Sequence, residues 1–528
     1  MEENLTNDIP DLKDIEEEIS TDKKKINKYI VIIPIISIIV ISIIFILIIF
    51  FSTKTKNLCE TGEEDKCMKC ENNKCISCNP KYELINGKCY ASFSINATYQ
   101  STTANETIYL INNEYKKQII DMEIDEKKVN ISNKYIFKSI GNHTVLMRIN
   151  ITELNSTEFM FSKISKLISI KFSKEFDTKN ITSMKGLFYR CENLKSIDIH
   201  NLNTENVEDM SYMFSYCSFL NSIFFPNSIT SKIKNMNYMF EKCSHLNSIN
   251  LTSFSTQNLE LMSFTFSGCS SLNLIDLSNF NTEKIKDMSS LFKECYNLTS
   301  IKFPDFSTYN LQKMNNMFQN CSSLESINLS YFTTENVTNM EYIFYGCSSL
   351  SSINLYNFDT KNVKNMAYMF SGCSSLTSAD LSNFNTPKLS LMSKMFEDCK
   401  YLKYVNISSF STENVKSMNF MFKNCFSLIS VDLTHFITGN VTEMRHMFYG
   451  CSSLTSIDLS SFYTRNVNSM DYMFYNCSRL SYLDISNFSN SSSLVNAFKL
   501  LPSNGTIKLN KDMTNKIKKL IPNNWTII

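Results

Sequence analysis

The sequence predicts an α/β solenoid, a stack of coils that each contribute one parallel strand and one short helix. Two observations carry this expectation. A Cys recurs every 26 residues from Cys191 to Cys477, twelve times, with no insertion or deletion. Each of these Cys has a Met seven residues before it, a Phe three before it and a Leu three after it. A fixed period of this length marks stacked repeats, because one coil cannot close a core alone and its neighbours supply the walls. The 528 residues include only 10 Gly and 8 Pro, which excludes a long flexible chain.

One copy gives the phase. Leu350, Ile353 and Leu355 form L-x-x-I-x-L, the strand signature of a leucine-rich repeat, with polar Ser351, Ser352 and Asn354 between them. Thr360 and Asn362 are good N-cap residues. Val363, Met366, Met369 and Phe370 follow at helical spacing, which predicts a helix of two to three turns ended by Gly372. The Met and Phe columns read as core. The twelve Cys read as buried, reduced thiols, because in-register side chains on parallel rungs point the same way and disfavour a disulfide dihedral.

The remaining elements follow in chain order. Residues 1–28 are polar and mixed in charge and read as a disordered cytosolic tail. Residues 29–51, from Tyr29 to Phe51, carry no charge and are long enough to span a bilayer. Lys23, Lys24, Lys25 and Lys28 precede that span, so the positive-inside bias predicts a type II signal anchor at the plasma membrane with the C-terminal part outside. Residues 52–90 hold Cys59, Cys67, Cys70, Cys75, Cys78 and Cys89, which in an oxidising compartment predict three disulfides among fifteen connectivities. Two CxxC pairs admit zinc as the lesser reading. The tail of this block, CNPKYELINGKC, resembles small EGF-like surface modules, implying a stiff stalk. Residues 91–158 are short β-branched and aromatic runs separated by turn signals, a small β domain. The solenoid occupies 159–490, with FSKISKLISIKF as its N-terminal cap, and 491–528 read as a C-terminal cap with a strand at Gly505–Leu509, a helix and the single Trp525.

Function is read from what the solenoid leaves exposed. The net charge of +1 offers no field for nucleic acid. The five His fall in different repeat phases and no catalytic or phosphate-binding motif occurs, so neither an enzyme nor a cofactor is expected. The solvated strand positions form one face with a Ser column and an Asp/Asn column. Phe224 and Lys302 interrupt the second column, Tyr404 and Tyr482 the first, and exposed aromatics among polar residues are where binding energy concentrates. Asp380, Asp432, Asp458 and Asp484 belong to the same face, and the run Asp432, Asp458, Asp484 is a weak Ca²⁺ candidate. About nineteen N-x-S/T sequons follow the anchor, consistent with an exported glycoprotein.

The repeat SSL-x-S-I-D-L-S-x-F-x-T-x-N-V-x-x-M-x-x-M-F-x-x-C resembles that of BspA-like leucine-rich-repeat surface proteins, known from bacterial surface lipoproteins and expanded in some unicellular eukaryotes. The resemblance covers about residues 160–500 and implies adhesion to, or recognition of, an extracellular protein or glycan. The cytosolic tail and type II anchor depart from the bacterial pattern and point to a membrane-anchored form from a eukaryotic microbe. Two other roles are open: a coat component that self-associates laterally, and an endocytic or signalling receptor.

Overall fold

The computed structural model describes residues 66–71, 74–79, 82–90, 92–150, 154–173, 178–225, 230–305, 307–490 and 492–528. The predicted tail, the predicted anchor at 29–51 and Cys59 lie outside the described residues. Among the described residues no helix is long and apolar enough to cross a membrane. The chain divides into two units, Met1–Tyr90 and Ala91–Ile528.

In the first unit, Cys67–Glu71 pairs antiparallel with Lys74–Cys78, and Glu83–Ile85 with Lys88–Tyr90. Disulfides join Cys67 to Cys75 and Cys78 to Cys89, and Cys70 is disulfide-bonded as well. Among the described residues, Cys67, Cys75 and Cys89 are the one His/Cys/Asp/Glu group close enough to share a metal ion. Their sulfurs are already spent in disulfides, so the zinc reading fails here.

The second unit is a solenoid whose first sheet runs straight into the small β region. Ser92–Ser101 pairs antiparallel with Gly141–Asn150 on one side and with Leu167–Phe172 on the other. Leu167–Phe172 then pairs parallel with Ser196–Asp198. The sheet changes from antiparallel to parallel at that strand, so the β region closes the N-terminal end of the stack. Phe93, Ile95, Ala97 and Tyr99 point into the same continuous core as the repeats. At the other end, Tyr482–Asp484, Asn504–Lys508 and Asn524–Ile527 pair in parallel, and the helix Lys511–Ile517 buries Met513 and Ile517. The cap therefore contains the strand and helix expected of it.

The expected repeat helix is absent; among the described residues the only α-helix is Lys511–Ile517. Consecutive tight turns replace it. The Met369 N–H donates to the Met366 carbonyl, Ser371 to Tyr368, Cys373 to Phe370 and Leu376 to Cys373, each three residues back. Alternating with these, the N–H groups of Met366, Tyr368, Phe370 and Gly372 donate to Leu391, Ser393, Met395 and Glu397 of the next coil, at 2.7–3.0 Å. Tyr368 and Gly372 have φ of +59° and +78°. Each is the third residue of its turn, where a type II turn needs positive φ and an α-helix forbids it. Apolar spacings of three and four suit both structures, which is why the pattern misleads. Parallel bridges link this segment from coil to coil, from Ser156 through Lys313 and from Asn339 through Ser493.

The two predicted N-caps also tie coils together. Thr360 is buried and its hydroxyl donates to the Asn385 carbonyl at 2.9 Å, while the Asn362 amide donates back to the Glu335 carbonyl at 2.8 Å. At Thr412 the hydroxyl both donates to the Ile437 carbonyl and accepts from the Ile437 N–H. Inside, Phe rings stack from Phe161 through Phe188 and every repeat to Phe474 and Phe498, with centroids 5.4–5.9 Å apart. Burying one such ring gains about 1.5–3 kcal/mol. The twelve repeat Cys are free thiols, fully buried. Cys373 donates to the Phe344 carbonyl at 3.1 Å, and burial pushes thiols such as Cys347 and Cys477 up to about 12.

The turn geometry sets the sign of one comparison. At a left-handed position Gly is favoured over Ala by about 1 kcal/mol, and in a helix interior the preference reverses by a similar amount. Both replacements at Tyr368 lose the same ring. Tyr368→Gly is expected to be more stable than Tyr368→Ala in chemical denaturation; the reverse order would restore the helix.

Candidate recognition face

Most coils contribute a three-residue strand whose first and third side chains face solvent, as in Ser222–Phe224, Ser378–Asp380 and Ser456–Asp458, while 326–328 and 352–354 follow the same path without strand pairing. The outward positions therefore align into two columns. The Asp/Asn column has a structural task that sequence reasoning missed. Its side-chain oxygen accepts from the N–H two residues on: Ser382 to Asp380 at 3.1 Å, Thr434 to Asp432 at 3.0 Å, Ser460 to Asp458 at 2.8 Å. These Asx turns bend the chain out of the strand. Hydrogen bonds from the Thr434 backbone and hydroxyl hold the Asp432 carboxyl below its ordinary range.

Of the predicted ligand-face residues, Phe224, Tyr404 and Tyr482 are 49%, 56% and 37% exposed. Lys302 lies opposite Asp276 in register and places its ammonium 3.1 Å from that carboxylate. The stack does not bring the aromatics together. Tyr404 and Tyr482 stand three coils apart, about 14 Å, and the strand of Phe224 is seven coils, about 34 Å, before that of Tyr404. Asp458 lies opposite Asp484 in register. Asp484, however, is buried, accepts from the Ser486 N–H and pairs with Lys508 at 2.9 Å. That leaves the three carboxylates of the Ca²⁺ candidate each committed to its own turn, and one neutralised by a lysine.

Three further features escaped the sequence. Leu274, 49% exposed, occupies a first-column position otherwise held by Ser or Tyr. The antiparallel strands also extend the face beyond the repeats: Asn96, Thr98, Thr144, Lys171 and Asp198, together with Ile170 and Ile197, line a groove of mixed polarity of about 400 Å³. A third column lies on the turn side. Five residues before the Cys, eight of the twelve repeats carry an aromatic or His, from Tyr212 to Tyr472. Tyr212, Tyr238 and Phe264 stack at 4.6 and 4.7 Å, Tyr342 on Tyr368 at 4.4 Å, and Phe420, His446 and Tyr472 at 4.7 and 4.9 Å. The Lys394 ammonium sits 4.8 Å from the Tyr368 ring and 5.1 Å from the Phe420 ring. These rings spend their faces on one another, so the column braces the turns and presents edges to solvent. The sequence signal for it was the recurrence itself, hidden by the helical reading.

A solenoid of L-x-x-I-x-L strands stacked in parallel defines the class: a leucine-rich-repeat type of protein. More specifically, the chain belongs to the family described as Mycoplasma protein of unknown function, DUF285, whose profile matches residues 132–227, 226–328, 312–428 and 390–515. No curated protein matches the chain. Among solved structures, a leucine-rich repeat protein from Eubacterium ventriosum ATCC 27560 is 18% identical over 56% of this chain and 94% of its own, with a TM-score of 0.32. A TLR13–ssRNA13 complex is 14% identical over 71% of this chain and 70% of its own, with a TM-score of 0.19.

The Asx turn makes a titration testable. Because Asp432 has a lowered folded value, its contribution to stability is complete above the unfolded value of about 3.9 and fades as pH falls through the folded one. Asn fills the same role at Asn406. Asp432→Asn is therefore expected to match the parent at pH 7 and to lose less stability below pH 4, and NMR should place the Asp432 midpoint below 3.9. An unshifted midpoint would remove the turn bonds from the account.

Proposed function

We propose that this chain is a recognition protein of the cell surface, held by the apolar segment 29–51 as a type II anchor, that binds a polar protein or glycan through the strand face of its solenoid. The observation that carries the reading is the face itself: a continuous polar surface interrupted by exposed Phe224, Tyr404 and Tyr482 rather than a closed pocket. Its hydrogen-bonding columns suit an extended polar ligand better than a small apolar one. The disulfide-linked segment before Tyr90 fits a stalk in an oxidising compartment.

Cells displaying the full chain, beside cells displaying the Phe224→Ser, Tyr404→Ser, Tyr482→Ser triple variant, provide the test against cells, mucin and polysaccharide surfaces. Attachment by the parent and a loss of about tenfold or more in the variant is expected, the scale of removing exposed aromatic anchors. If parent and variant attach equally, the strand face is not the site. If neither attaches and the displaying cells clump together, the lateral-coat reading replaces this one.

A further inference from the structure

The strand face carries a second periodicity. In its Asp/Asn column Asn250, Asn328 and Asn406 each begin an N-x-S/T sequon, and they are spaced 78 residues apart, three coils each. At about 4.8 Å per coil this places one every 14 Å or so along the face. All three are exposed. Each side-chain oxygen is held by the sequon's own third residue. Asn250 accepts from the Thr252 N–H at 3.0 Å and hydroxyl at 2.7 Å, Asn328 from the Ser330 N–H at 3.0 Å, Asn406 from the Ser408 N–H at 3.3 Å and hydroxyl at 2.9 Å. The oxygen is thus fixed in the turn while the amide nitrogen is directed away from it. Sequons elsewhere in the repeat differ: Asn336 and Asn440 donate through that nitrogen to the Tyr309 and Glu413 carbonyls of the preceding coil, at 2.8 and 2.7 Å.

We propose that Asn250, Asn328 and Asn406 carry N-linked glycans that fence the middle of the strand face. This rests on the surface reading above, since the sugar donor is a lipid diphosphate-linked oligosaccharide of the secretory pathway. In the transfer, a bond forms between Asn Nδ2 and C1 of the first sugar. The bond from C1 to the diphosphate oxygen breaks, the lipid diphosphate leaves with the electron pair, and one amide proton is lost; nothing is oxidised or reduced. The turn bonds to the side-chain oxygen survive the modification.

The assignment gives two exposed aromatics a different task. Phe224 lies directly opposite Asn250 in register, and Tyr404 stands two residues before Asn406 on the same side of the same strand. Each ring offers an apolar face where the first sugar of the neighbouring glycan would rest. Tyr482 shares its strand with Asp484, which cannot be modified. The widest interval of this column without a sequon follows Asn406: Asp432, Asp458, Asp484 and, opposite Asp484 in the cap, Lys508. A macromolecular ligand has its clearest access there, with Tyr482 as its anchor.

The test expresses the full chain in a eukaryotic cell line, releases N-glycans enzymatically in ¹⁸O water and maps the ¹⁸O-labelled Asp by mass spectrometry. Label at Asn250, Asn328 and Asn406 in more than half of the molecules is expected. The triple Asn→Asp variant should lose three glycans and keep its melting temperature, because Asp makes the same turn at Asp276, Asp380 and Asp432. Less than half label at these sites, with label at other sequons, overturns the glycan assignment and leaves the surface reading standing. No label at any sequon overturns both.

Discussion

Everything in this molecule depends on where alternate N–H groups of the turn segment go. One set closes tight turns within the coil, the other reaches the next coil, and the Ala367 N–H between them is taken by the Asn365 side-chain oxygen. That pattern requires a left-handed residue at two positions per repeat, and the positions are filled by Tyr, Phe, Lys, Asn and His as well as Gly. A left-handed backbone is unfavourable for such residues. Ring stacking along Tyr212, Tyr238 and Phe264 and the lysine between Tyr368 and Phe420 hold them there. One added or lost residue would swap the two sets of donors, which explains why the 26-residue spacing never slips.

The strand side is bound more loosely, and that freedom is what makes it usable. Strand pairing is interrupted: Ser248–Asn250 and Leu274–Asp276 belong to separate sheets, as do Leu274–Asp276 with its partner and Ser378–Asp380. Side chains rather than a continuous backbone ladder set the character of this face. Asp and Asn prevail in its second column because they accept the turn bond. Phe224 and Lys302 accept nothing there, and the residues two on, Pro226 and Pro304, have no N–H to donate, so no bond is lost in either coil. These two positions are free of the turn's requirement, whereas the acidic column is bound to it.

Core columns, strand phase, stack and caps were legible in the sequence because each follows from burial repeated at fixed spacing. The helix was not, since Val363, Met366, Met369 and Phe370 fit a turn stack and a helix equally, and only the backbone angle at Tyr368 separates them. Thr360 resembles an N-cap for a related reason: a hydroxyl that satisfies a backbone group is recognisable, but its partner in the next coil is 25 residues away. The pairing of Ser92–Ser101 with Leu167–Phe172 is likewise invisible to local pattern, so one continuous sheet was read as a separate β domain followed by a cap. On the candidate face, the exposure of Phe224, Tyr404 and Tyr482 was legible from alternation, whereas their wide separation and the Lys508 partner of Asp484 needed the stack itself.

The turn ladder, not the strand face, is the spine of the solenoid. Hydrogen exchange measured by mass spectrometry on the folded chain tests it directly. Peptides containing Met366–Gly372 and the equivalent segments of other repeats should hold their amide protons longest. Those covering Ser351 and Thr377, whose N–H bonds to the preceding coil are 3.3 Å long, should exchange earlier. Turn segments that exchange first, while the strand segments remain protected, would contradict the account.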